Sequence, residues 1–129
     1  MNQPICKVEI KKFDSGYAIF EMSGRFIPGG DPDIADVIKS SIRNLVAEGI
    51  KRVVVDLHHV DYFASNVIGA LVDGKMATES VDGGIVLYRP KKYLRDSLKM
   101  VKIDVIIRIV DDLDEALDIL GIPRVEEEE

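Results

Sequence analysis

Lys51–Ser80, KRVVVDLHHVDYFASNVIGALVDGKMATES, is the stretch whose reading decides the fold. It opens with Val53-Val54-Val55-Asp56-Leu57, a short β-branched apolar run, which predicts a strand buried on both faces. It closes with Val67, Ala70, Leu71, Gly74 and Thr78 at helical spacing, the buried stripe of an amphipathic helix. Between the two, Ala64-Ser65-Asn66 opens the helix, with Ser65 at the expected N-cap. A strand end that feeds a helix N-terminus sets polar groups at the surface, beside the positive end of a helix dipole. Function is therefore expected around Ser65.

Outward from this centre, the pattern is regular. Upstream, Cys6, Val8 and Ile10 alternate with Lys7, Glu9 and Lys11, predicting a strand with one buried face. Asp14-Ser15-Gly16 turns the chain, and Tyr17 to Met22 returns as the second arm of a hairpin. Ser23 to Gly30 is a loop, apolar at Phe26 and Ile27. Asp31 is the expected cap of a helix with Pro32 in its first position and Asp33 in its first turn. Its apolar face is Ile34, Val37, Ile38, Ile42, Leu45 and Val46, and Gly49 stops it.

Downstream, Asp82-Gly83-Gly84 leads into Ile85-Val86-Leu87-Tyr88, a third β-branched run. Pro90 is expected to begin a helix with Leu94, Leu98 and Val101 inward, and Val105 to Val110 reads as the last strand. Asp111-Asp112 caps a final helix, whose inner face is Leu113, Ala116, Leu117 and Leu120. The order β-β-α-β-α-β-α-β-α defines an α/β fold: a mixed, mostly parallel sheet of about five strands with four helices. A single domain is expected over residues 1–122, with 123–129 an acidic, solvated tail.

Composition narrows the function classes. The 129 residues suffice for one core, and 47% hydrophobic with 31% charged residues describes a globular chain. The net charge is −6, but Glu126 to Glu129 supply four of those charges and leave −2 for the rest. No basic stripe is present to bind nucleic acid. No apolar run reaches the roughly 20 residues of a membrane span, and the N-terminus lacks a signal-peptide pattern. The lone Cys6 has no internal partner, which points to a reducing cytoplasm.

The quoted stretch resembles the STAS domain, the fold of bacterial anti-sigma-factor antagonists. VVVDLHHVDYFASNVIGAL is similar to the family's β-branched strand ending Asp-Leu, followed by Val-Asp, an aromatic, Asp-Ser-Ser-Gly-Leu-Gly and a helix. KKYLRDSLKMVKIDVIIRIVDDLDEAL resembles the family's last third, including its acidic-capped helix with Glu-Ala-Leu. The resemblance spans roughly Val8 to Leu120. It implies a protein-binding regulator of transcription and not an enzyme. Such a regulator binds an anti-sigma factor that is also a serine kinase, needs no cofactor or metal, and is released when the first motif Ser is phosphorylated.

That position is Ser65. Asp56, Gly69 and Leu71 match the family pattern as they stand, whereas Ala64 replaces an acid, Asn66 a Ser or Thr, and Val67 a Gly. These departures alter what a kinase would bind. They leave open a second reading, a STAS scaffold or subunit of a signalling or transport assembly. From the residues alone Ser65 can equally be a plain helix cap.

Asn66, Gly69, Asp73 and Met76 form the outward stripe of the same helix. With Ala64 they make the expected partner surface, and Phe26 and Ile27 either extend it or lid the core. His58-His59, near Asp56 and Asp61, is expected as an ordinary loop pair, because adjacent residues on an extended segment point to opposite sides. Neither Gly29-Gly30 nor Gly83-Gly84 has phosphate-loop spacing. Lys91, Lys92, Arg95 and Lys99 form a modest basic cluster, read as a solvated helix face.

Overall fold

The computed structural model describes residues 5–123, so most of the acidic segment 123–129 lies outside the described residues. Five strands form one sheet in the order of the chain: β1 (Cys6–Phe13), β2 (Tyr17–Phe26), β3 (Arg52–Phe63), β4 (Gly84–Tyr88) and β5 (Ile109–Val110). β1 and β2 pair antiparallel as the expected hairpin, and every other neighbouring pair is parallel. Four helices connect and flank them: α1 (Ile34–Ala47), α2 (Ser65–Glu79), α3 (Lys92–Met100) and α4 (Leu113–Leu120).

β3 is the axis of the sheet, as its β-branched run predicts. Val53, Val55 and Leu57 enter a large cluster with Phe20, Ile38, Ile42, Leu71 and Leu98, on the face covered by α1, α2 and α3. Val54 points to the opposite face and joins Tyr17, Val86, Val110 and the inner side of α4. Alternate residues of one strand thus feed two apolar layers. The five residues predicted as the inner stripe of α2, from Val67 to Thr78, are its buried residues.

Several local expectations are corrected. α1 is capped by Asp33, whose side chain accepts from the Ala35 N–H, and not by Asp31; Pro32 lies before the helix. α3 begins at Lys92 instead of Pro90, and Val101 is exposed because the helix ends at Met100. The run from Val105 to Val110 supplies only two strand residues. Its first part closes a 3-10 turn, Ile103–Val105, and the Ile107 N–H donates to the Ile103 carbonyl at 2.8 Å. Spacing of four within this helical turn puts the two isoleucines on one side, and both are buried. On β1, Cys6 and Val8 are half-buried but Ile10 is exposed, since the helical layer thins toward this edge of the sheet.

Candidate functional site

β3 is longer than its apolar run suggests, because two irregularities carry it on to Phe63. Its register against β2 slips once between Glu21 and Ser23, opposite Asp56 and His59, and again after Gly24. At the first slip, the Asp56 carboxylate accepts from the His58 N–H at 3.1 Å, stabilising the extra residue of a bulge. Both histidines therefore face solvent, their ring centroids 4.9 Å apart and edge to face, in a strand rather than a loop. The simple alternation expected of this dipeptide fails at the bulge. No group of three potential metal ligands occurs among the described residues.

Asp56 is buried, and Arg89 grips both its oxygens at 3.1 Å. This hydrogen bonding holds the guanidinium above its usual pKa, although burial acts in the opposite direction. The pair joins the middle of β3 to the residue just after β4. Sequence pattern alone gave no sign of Arg89, which sits at φ 48° just after its strand.

From Phe63 the chain turns into α2. Phe63 meets Phe26 edge to face at 5.7 Å, and the Ala64 N–H donates to the Phe26 carbonyl at 2.8 Å. Phe26 is fully buried and Ala64 nearly so, which removes both side chains from the expected partner surface. Ile27 is half-buried and borders an apolar hollow with Ile5, Cys6, Pro28 and Ile34. Burial raises the Cys6 thiol pKa.

The N-cap of α2 is Ala64, which offers no side-chain acceptor, and Ser65 is the first helical residue. The expectation that Ser65 caps the helix is therefore corrected. Its side chain is exposed, and its hydroxyl engages no acceptor among the described residues. A hydroxyl at this position leans on a helix N-terminus whose first N–H groups have no intrahelical partner.

Capping strength lies next door, on Asp33. Its carboxylate accepts from the Gly29 N–H at 2.8 Å, the Ala35 N–H at 2.9 Å and the Asn66 amide at 3.1 Å. The two backbone donors come first in holding the Asp33 pKa below the usual carboxylate value, and Asn66 adds to them. One carboxylate thus ties the first turns of α1 and α2 to the loop 27–32.

Asn66, Gly69, Asp73 and Met76 lie together as predicted, on one side of an open depression of about 580 Å³ between α1 and α2. Beside it, in an adjoining hollow, Arg43 donates to both oxygens of Asp73, at 2.7 and 3.1 Å. These hydrogen bonds lower the Asp73 pKa and raise that of Arg43. Met76 is 66% exposed, and a Cβ added to Gly69 would meet nothing within 4 Å. The basic cluster on α3 is largely neutralised: Lys91 pairs with Asp61, Lys92 with Asp96 and Arg95 with Asp111.

The chain thus joins a mixed, mostly parallel five-stranded sheet and four helices to a solvent-facing serine at the head of α2. The STAS domain model matches residues 31–116, and the chain belongs to the STAS domain family. No curated protein matches at a significant level.

Solved structures share the fold. SpoIIAA, an anti-sigma factor antagonist, in its unphosphorylated form superposes with TM-score 0.73 at 11% identity, covering 92% of this chain and 100% of that one. The Bacillus cell fate determinant SpoIIAA in its phosphorylated form gives 0.65 at 12% identity, covering 87% and 97%. An anti-sigma factor antagonist from Mycobacterium paratuberculosis gives 0.69 at 21% identity, covering 94% and 99%. A sulfate transporter family protein from Wolinella succinogenes gives 0.68 at 20% identity, covering 86% and 89%. Among the described residues no helix is long and apolar enough to cross a membrane.

Proposed function

We propose that this STAS domain, a single unit over residues 1–122, is an antagonist-type partner switch and not an enzyme. It binds an anti-sigma factor kinase or a related cytoplasmic protein through the surface at the head of α2, and phosphorylation of Ser65 releases it. The observation that carries the reading is the uncapped, exposed hydroxyl of Ser65 at the first position of α2, beside an open depression. The likeness to SpoIIAA, whose structures are described in unphosphorylated and phosphorylated forms, supports it.

The physics requires no refolding. A phosphoryl group adds a charge of roughly −1.5 to −2 and three acceptor oxygens at the helix N-terminus. The dipole favours such an anion by about 0.3–1 kcal/mol, so the domain stays folded. A partner covering Ser65 would instead bury a dianion without a counter-charge, and binding is lost. Ile27, Asn66, Gly69, Asp73 and Met76 are the residues available to that partner; Phe26 and Ala64 act from below, by fixing the turn.

A second reading keeps the fold and drops the switch: a constitutive subunit of a signalling or transport assembly. Ala64 and Val67, both buried and apolar at the motif, favour it, as does the likeness to a sulfate transporter family protein. Incubation with a candidate anti-sigma kinase and ATP, followed by mass spectrometry, separates the two. Phosphate on Ser65, with weaker partner binding by Ser65→Asp at unchanged melting temperature, supports the switch. An unmodified Ser65 in a protein that co-purifies stably with another supports the subunit.

A further inference from the structure

Among the described residues, the longest run of exposed apolar side chains lies away from Ser65, in the turn that follows α3. Met100 is 82% exposed, Val101 56%, Val105 77% and Ile106 43%. Four aliphatic side chains within seven residues project into water, while Ile103 and Ile107 between and beside them are buried. The buried pair anchors the turn to the core. Lys102, in the left-handed region at φ 64°, reverses the chain between Val101 and Ile103. The outward residues are thus presented on a fixed base.

Charge distinguishes this patch from the rest of the surface. Most lysines and arginines elsewhere are held by an acid: Lys7, Lys11, Lys12, Arg43, Lys75 and the cations of α3's first turns all sit in ion pairs. Lys99, Lys102 and Arg108 flank the aliphatic patch, are exposed, and form no ion pair with a described residue. Asp104 is the single acid of the turn, leaving residues 99–108 net positive in a chain of net charge −6.

We propose that this turn docks the domain peripherally on an anionic lipid surface. Aliphatic side chains rimmed by cations that no close ion pair holds match the boundary between acyl chains and acidic headgroups. A second copy of the chain is disfavoured, because two such rims would meet with like charge. A protein pocket would also need a complementary cleft, whereas a bilayer accepts projecting side chains without one.

The place of the turn leaves the switch untouched. Ile106 and Arg108 border a hollow with Arg52 and Gly84, at the starting ends of β3 and β4. Ser65 follows the far end of β3, twelve residues on, or very roughly 40 Å at about 3.3 Å per residue. A docked domain keeps Ser65 facing away from the lipid. The proposal does not depend on phosphorylation.

Sedimentation with vesicles tests it. The intact chain is expected to bind vesicles of phosphatidylcholine with one-third phosphatidylglycerol about tenfold or more tightly than phosphatidylcholine alone, with binding weakened by added salt. Met100→Ser with Val105→Ser should abolish binding, as should Lys99→Glu with Lys102→Glu. All four sites are exposed, so circular dichroism should show each variant folded. Tyr62→Ser, exposed at the far end of β3, should bind like the parent. No binding to anionic vesicles overturns the proposal, including the case in which a protein covers the patch. So does equal binding to neutral vesicles, or binding that survives both double variants.

Discussion

The Asn66 side-chain amide donates to Asp33 Oδ1 at 3.1 Å, and through this bond the first turns of α1 and α2 share one carboxylate. The same carboxylate holds Gly29 and Ala35, which keeps the loop 27–32 against the serine-bearing turn. Its pKa is lowered in the folded state, first by the Gly29 N–H, then by the Ala35 N–H. A carboxylate with a depressed folded pKa stabilises the protein above its unfolded pKa, and that contribution is lost as pH falls through the folded value. Asp33→Asn is therefore expected to lower stability at neutral pH and to flatten the loss below about pH 4. Urea unfolding at a series of pH values checks this. An acid limb in Asp33→Asn as steep as the parent's would contradict it. Asn66→Ala should remove less, because two backbone donors remain.

Gly69 and Gly74 lie on the same helix in opposite environments. A Cβ at Gly74 would stand 2.7 Å from Ile42 Cδ1 and 3.2 Å from Ile85 Cδ1, so α2 needs a glycine there to approach the core. At Gly69 the space is open, and nothing in the chain itself repays a helix-interior glycine. Gly69→Ala should stabilise by about 0.5–1 kcal/mol. Gly74→Ala should destabilise by about 1–2 kcal/mol once overpacking is set against the propensity gain. Thermal melts decide both. Under the proposed function Gly69→Ala should also weaken partner binding, since the added methyl stands where a partner must come close.

The layers of the fold were legible in Val53–Leu57 and in the 67, 70, 71, 74, 78 spacing, because burial on two faces and on one helical stripe leaves distinct periods. Whatever broke the period was not. Each slip at the bulges of β3 inserts one residue, so His58 and His59 share a side that alternation would deny them. Ile103 and Ile107 turned a predicted strand into a single helical turn through a contact four residues apart. Ser65 was placed correctly at the head of α2, but its expected capping role belongs to no side chain there. The nearest capping carboxylate, Asp33, sits on another helix more than thirty residues earlier.

Asp56 has Arg89 as its only charged partner among the described interactions, and its side chain is 7% exposed. Arg89→Ala would leave that carboxylate desolvated without its guanidinium. The Arg89 side chain is 40% exposed, so water can replace part of what is lost. The expected destabilisation is about 1–3 kcal/mol, less than for a fully buried pair. Adding Asp56→Asn to Arg89→Ala should recover part of it, since a neutral amide tolerates burial better. A double-mutant cycle in urea measures the coupling, and strict additivity would show the pair to be idle.

Phe26 and Ile27 adjoin in sequence but belong to different jobs, and two substitutions should separate them. Phe26 is fully buried, with its ring edge to face against Phe63 and its carbonyl holding the Ala64 N–H. Phe26→Ala is expected to cost about 3–5 kcal/mol, the range for emptying a buried aromatic site. It should also loosen the turn that carries Ser65, raising hydrogen exchange at residues 63–67. Ile27 is half-buried at the rim of an apolar hollow, so Ile27→Ala should cost about 1 kcal/mol or less. If the surface at the head of α2 receives a partner, Ile27→Ala should nevertheless weaken binding while the melting temperature stays near the parent's. Comparable destabilisation by the two variants would mean that the loop 27–32 is as much a part of the core as Phe26.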